Sequence, residues 1–158
     1  MKVEVTIEDP TTPAAIVVLE RHLAFTRAVT PDGGVFALDL EALGQPDVTF
    51  LCARADGRLL GVAAIKELDD HTVELKSMHT IAEARGNGVG RALVIHALEL
   101  ARDRGYRRVS LETGNFDAFA PARSLYQSCG FTPCELYGHY RQSPTSACMT
   151  IGLDPLGP

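Results

Sequence analysis

The chain has 158 residues, enough to bury a hydrophobic core as one domain over 1–158. Hydrophobic residues at 46% and charged residues at 22% exclude the disordered and membrane-embedded classes. A formal charge of −5 argues against a general nucleic-acid binder, whose surface is basic, so no nucleic-acid partner is expected.

The first ten residues, MKVEVTIEDP, lack the apolar core of a signal peptide, and the longest apolar run, 14–19, is too short to cross a bilayer. A cytoplasmic protein with no membrane partner is expected. Val3, Val5 and Ile7 alternate with polar residues, which predicts a half-buried first strand. Thr11 or Thr12 caps a helix with Pro13 in its first turn, carrying Ile16, Leu19, Leu23 and Val29 on its apolar side. The turn cluster 30–34 ends it, and a shorter helix follows over 36–43 with Gly44 as its stop.

Two β-rich runs, 48–55 and 59–68, meet at Ala55-Asp56-Gly57, a hairpin signal. Asp69-Asp70 makes the next turn, and 73–80 is the third consecutive strand. A glycine-rich loop leads into a helix over 89–104, with Val89, Leu93, His96 and Leu100 on one face and Gly105 beyond its end. A strand over 109–112 follows, and the length of this crossover predicts that it runs parallel to the strand before the loop. Past Gly114-Asn115 a short helix starts near Phe119, with Pro121 in its first turn and Gly130 beyond its end. The stretches 131–137 and 147–153 read as two last strands. The result is an α/β layer structure, a central mixed sheet covered by helices.

The loop itself, Arg85-Gly86-Asn87-Gly88-Val89-Gly90, holds three glycines within five residues. Glycine lets backbone come close to a ligand and adopt positive φ. The helix that opens there presents unpaired N–H groups and the positive end of its dipole, which together favour phosphate. The loop therefore reads as the cradle for a pyrophosphate, with Arg85 and Arg91 beside it.

Arg-x-x-Gly-x-Gly between a strand and a helix resembles the acetyl-CoA signature of the GNAT superfamily of N-acetyltransferases. Downstream, Ala122-Arg123-Ser124-Leu125-Tyr126-Gln127-Ser128-Cys129-Gly130-Phe131 resembles that family's A-R-x-L-Y-x-x-x-G-F segment, and Asn115 after the fifth strand is a third match. The order of elements is similar across nearly the whole chain. The resemblance implies a twisted, mostly antiparallel mixed sheet of about seven strands flanked by four helices. It implies transfer of an acetyl group from acetyl-CoA to a primary amine of a small molecule or peptide, by direct attack in a ternary complex and without a metal. A homodimer is a form common among such relatives.

By the same resemblance, Arg85, Gly86, Asn87, Gly88, Val89, Gly90 and Arg91 hold the pyrophosphate of coenzyme A. The glycines would be needed because a Cβ would push the phosphates away from the amides. Met78, His79 and Thr80 pair with the pantetheine arm and polarise the thioester carbonyl, on a strand that the family usually splays from the next with a bulge. Asn115 belongs to the cofactor site, and Arg123 either reaches the 3′-phosphate or lies on the helix surface. Tyr126 is the general acid for the departing thiolate, its phenol close to a thiol in pKa; the other reading is a tyrosine of the helix core. Glu74, eleven residues before Arg85, is the general base, or else an ion-pair partner of Lys76 or Lys66. Glu112 is a second candidate base.

His96 reads as a hydrogen-bonded core histidine and His79 as nearer the chemistry, while His22, His71 and His139 carry no motif. The acceptor pocket falls to the first two helices and the last hairpin, to residues such as Arg21, Phe25, Phe36 and the stretch 137–140. Cys52, Cys129, Cys134 and Cys148 form no C-x-x-C pair and read as small buried hydrophobes, so no acyl-cysteine is expected. Two other functions compete: a non-catalytic acyl-CoA sensor, and a dinucleotide-binding oxidoreductase. The second requires G-x-G-x-x-G, and Arg91 stands where its last glycine belongs.

Overall fold

In a computed structural model of the chain, residues 1–29 and 40–154 are described. The strands are β1 (Glu4–Ile7), β2 (Val48–Ala55), β3 (Arg58–Glu67), β4 (Thr72–Thr80), β5 (Arg108–Gly114), β6 (Thr132–Cys134) and β7 (Ser146–Gly152). The helices are α1 (Pro13–Val29), α2 (Leu40–Leu43), α3 (Val89–Asp103) and α4 (Ala120–Ser128). Thr12 caps α1 by accepting the Ala15 N–H at 3.3 Å. The last turn of the helix predicted over 36–43 is α2, and 36–39 lies outside the described residues. No helix among the described residues is long and apolar enough to cross a membrane.

All seven strands form one sheet in the order β1-β2-β3-β4-β5-β7-β6. Every neighbouring pair is antiparallel except β4 and β5. A single parallel pair leaves no room for the repeated parallel units of a dinucleotide-binding fold, which removes that alternative. Asp56 and Gly57, at φ +50° and +78°, make the tight turn between β2 and β3.

Three expectations need correcting. The α1 face that packs deepest is Ala15, Val18 and Leu19, while Ile16 and Leu23 are half-buried. The run 14–19 is apolar all round, so the sequence does not define which side turns inward. On α3 the inner face is Val89, Leu93, Val94, Ala97 and Ala101, and His96 sits half-exposed at its margin, not in the core. The strand expected over 131–137 shortens to β6, an edge strand whose Pro133 has no N–H to give a ladder.

Gly61 on β3 faces α3: a Cβ there would stand 2.9 Å from Val89 Cγ1 and 2.9 Å from the His79 carbonyl oxygen. The neighbouring Val62 pairs with His79, whose ring meets His22 of α1, so α1 and α3 cover opposite faces. Gly61→Ala is expected to destabilise the fold by about 1–3 kcal/mol, because the backbone oxygen cannot step aside. Urea unfolding measures this, and an unchanged midpoint would mean that the sheet relaxes freely there.

The feature that makes room for a site lies between β4 and β5. They pair only from Thr72 to Leu75 on one strand and from Arg108 to Leu111 on the other. Beyond that point β5 stays zipped to β7, while β4 follows β3 and departs. A bulge helps it turn away. Between Val62 and Ala64 of β3, β4 advances from His79 back to Lys76 with one extra residue, and Ser77 takes φ +57°.

Candidate active site

The glycine loop ends at Gly88, the N-cap of α3, which sits at φ +79°; Gly86 lies at φ +81°. No side chain caps this helix start and its first turn holds no acidic residue, so its leading N–H groups face outward with the dipole behind them. Gly86 and Gly88 are required by their left-handed backbone, with nothing within 4 Å of a Cβ built on either. A Cβ on Gly90 would fall 2.9 Å from Leu125 Cδ2 of α4, so that side chain would have to shift.

A cavity of about 1000 Å³ runs from this loop through the gap between β4 and β5 to the far face of the sheet. Of the residues expected to bind cofactor, Met78, His79, Thr80, Arg85, Gly86, Gly88, Val89, Gly90 and Arg91 line it, and so does Tyr126. Four expected residues do not. Asn87 turns its amide back onto the carbonyl oxygens of Ala84 and Arg85 at 3.0 and 3.3 Å. Asn115 donates to the Pro144 carbonyl at 2.9 Å and stitches β5 to the loop before β7. Arg123 donates to the carbonyls of Gly114 and Phe116, at 2.5 and 3.0 Å, so it anchors α4 to the end of β5.

Glu74 is the fourth. It is buried at 3% exposure and does not line the cavity. The Tyr137 hydroxyl donates to its Oε2 at 2.5 Å, and Lys76 Nζ stands 3.7 Å from Oε1. Burial, and then the Glu74 charge, push the Tyr137 phenol well above its usual range, so it stays a donor. Both oxygens of Glu74 are thereby engaged. Glu112 differs on each count. It lines the cavity, Ser146 Oγ donates to its Oε2 at 2.7 Å, and burial raises its pKa to about 7. The Ser146 bond and Lys76 pull it down only in part.

Tyr126 is 7% exposed, with its ring 5.9 Å from that of Phe131. Its hydroxyl makes no hydrogen bond among the described residues. Burial, and secondly the charge of nearby Glu112, raise its pKa well above that of a free phenol. The close match to a thiol that the sequence implied is therefore absent without ligand, but the group is fully protonated at neutral pH, which is where a proton donor must begin.

His22 and His79, both lining the cavity, meet through their Nδ1 atoms at 3.2 Å, and burial lowers each to about 4. They form a neutral pair at pH 7. Of the residues expected at the acceptor end, Phe25, His139 and Tyr140 line the cavity. Arg21 instead pairs with Glu83 at 3.0 Å, and Phe36 lies outside the described residues. Arg85 stands over the Phe25 ring at 5.8 Å. Ser146 escaped the sequence reading, which gave His22 no motif and set Tyr137 in the acceptor pocket rather than on Glu74, because each acts across strands or helices and belongs to no local motif.

A sheet opened beside a helix N-terminus in this way matches the arrangement that the resemblance to N-acetyltransferases implies. The crystal structure of the putative acyl-CoA N-acyltransferase from Klebsiella pneumoniae subsp. pneumoniae MGH 78578 has the same fold, at TM-score 0.79, 23% identity and coverage of 96% of this chain and 98% of that one. Residues 17–131 match the model of the acetyltransferase (GNAT) family, and the chain belongs to that family. It is 40% identical to the uncharacterized N-acetyltransferase YsnE of Bacillus subtilis (strain 168), over 93% of this chain and 97% of the relative. It is 36% identical to the uncharacterized N-acetyltransferase YedL of Escherichia coli (strain K12), over 92% of each. The chain is thus an N-acetyltransferase, which sets aside the non-catalytic sensor.

Proposed function

We propose that the chain transfers the acetyl group of acetyl-CoA to a primary amine of a small molecule or peptide, by direct attack in a ternary complex. One observation carries this reading: a continuous cavity joins the side-chain-free start of α3 to Glu112 and Tyr126 through the gap between β4 and β5. The residues fit coenzyme A. The N–H groups of Val89, Gly90 and Arg91, with the guanidiniums of Arg85 and Arg91, suit a pyrophosphate. The β4 backbone past Leu75 has no partner on its β5 side and is free to bond a pantetheine arm.

When bound, acetyl-CoA supplies an activated thioester. Glu112 accepts a proton from the acceptor nitrogen while Ser146 holds its other oxygen in place. Tyr126 would give its phenolic proton to the sulfur as the C–S bond breaks and the C–N bond forms, and the proton taken by Glu112 would return to Tyr126 through solvent, so a neutral amine yields amide and thiol with no net proton. Thiol chemistry is disfavoured, because none of the four cysteines lines the cavity and burial raises Cys52 to about 12 and Cys148 to about 11.

Initial rates of thiol release, with acetyl-CoA and an amine both varied, should give intersecting double-reciprocal lines. Parallel lines, or radiolabelled acetyl retained on the protein when no amine is present, would replace direct attack with an acyl-enzyme route.

A further inference from the structure

The cavity is positive in a negative chain. Among the described residues its lining holds four lysines and arginines, Lys66, Lys76, Arg85 and Arg91, against one carboxylate, Glu112, while the chain carries a formal −5. Arg85 and Arg91 flank the α3 start, where a pyrophosphate accounts for them. Lys66 and Lys76 have no such explanation. They project from β3 and β4 on one face of the sheet, since Lys66 pairs with Glu74 and Lys76 lies two residues further along β4. Glu112 shares that face, because Glu74 pairs with Ser110, two residues before it on β5. Among the described residues, Glu74 is the carboxylate in ion-pair contact with one of the two lysines. It meets Lys76 at 3.7 Å and spends its second oxygen on Tyr137. Lys66 makes no ion pair or hydrogen bond among the described residues. The Lys66 ammonium thus faces the cavity without an ion-pair partner among the described residues, on the same side as Glu112.

We propose that Lys66 and Lys76 receive a carboxylate of the acceptor, so that the substrate is an amine that also bears a carboxylate, of the amino-acid class, with its nitrogen toward Glu112. This inference rests on the acetyl-transfer reading above. A carboxylate suits the unpaired Lys66 ammonium, and two ammoniums on neighbouring strands fix the substrate's orientation without a dedicated arginine fork. Polyamines and other acceptors that carry only positive charge are repelled by the same pair.

The test is thiol release from acetyl-CoA with a panel of L-amino acids, each beside its carboxamide. The best acceptor should be a free acid, turned over with kcat/KM at least about tenfold above its amide. Lys66→Met should remove that preference while changing the rate with the amide by less than about twofold, and Lys76→Met should weaken it in the same direction. Equal rates for acid and amide, a Lys66→Met loss shared by both, or turnover only of amines without an acid group would each overturn the inference. So would a protein that coenzyme A stabilises against heat but that acetylates no member of the panel. A protein that coenzyme A does not stabilise at all would sink the acetyl-transfer reading first.

Discussion

Glu112→Gln is expected to lower kcat by about 10²–10⁴-fold, the range of a lost general base, with acetyl-CoA affinity nearly unchanged. The parent's kcat/KM should rise through pH 7, following ionisation of a carboxyl whose pKa burial has raised to about 7, and the Gln variant should lose that limb. Stability moves the opposite way. The folded pKa lies above the ordinary 4.5, so between about pH 4.5 and 7 the folded state holds the proton more tightly than the unfolded chain. The stabilisation it brings is full below 4.5 and lost as pH rises through 7. Glu112→Gln should therefore flatten the dependence of Tm on pH over that window, trading activity for stability. Glu74→Gln supplies the contrast. If it abolished turnover while Glu112→Gln spared it, the two carboxylates would have to exchange roles.

Tyr126→Phe should reduce kcat by about 10²-fold and leave the KM for acetyl-CoA within about threefold. The ring packs against Phe131 and the hydroxyl has no hydrogen-bond partner among the described residues, so the fold should not weaken. What separates an acid from a packing group is the leaving thiol. With an acetyl thioester of a strongly acidic aryl thiol, which departs without help, the variant should approach the parent's rate. A defect of equal size with both thioesters would mean that Tyr126 works through shape alone.

Much of this site was legible in the chain because it is local. The glycine loop, the helix behind it, the Asp56-Gly57 hairpin and the parallel sense of β4 and β5 all follow from short-range patterns. Where the pairing stops does not. Glu74 lies one residue before Leu75 and Glu112 one residue after Leu111, the last paired residues of the two strands. The zipped half of the sheet thus encloses Glu74, and the open half presents Glu112. No residue type near Leu75 announces that boundary, and the bulge is built on Ser77, which carries none of the usual signal for positive φ. Likewise, the Arg123 contact with Gly114 depends on how α4 docks, which no local pattern encodes. Gly90 lines the cavity and also faces Leu125 of α4, and the second contact is one that sequence does not show.

Everything above depends on the diverging strands and the start of α3 holding coenzyme A. Calorimetric titration of coenzyme A into the protein tests this most directly. One site per chain is predicted, weakened at least about tenfold in Gly88→Val, because valine at φ +79° forces the loop out of shape. Absence of binding to the parent, or undiminished binding to a folded Gly88→Val protein, would contradict the account.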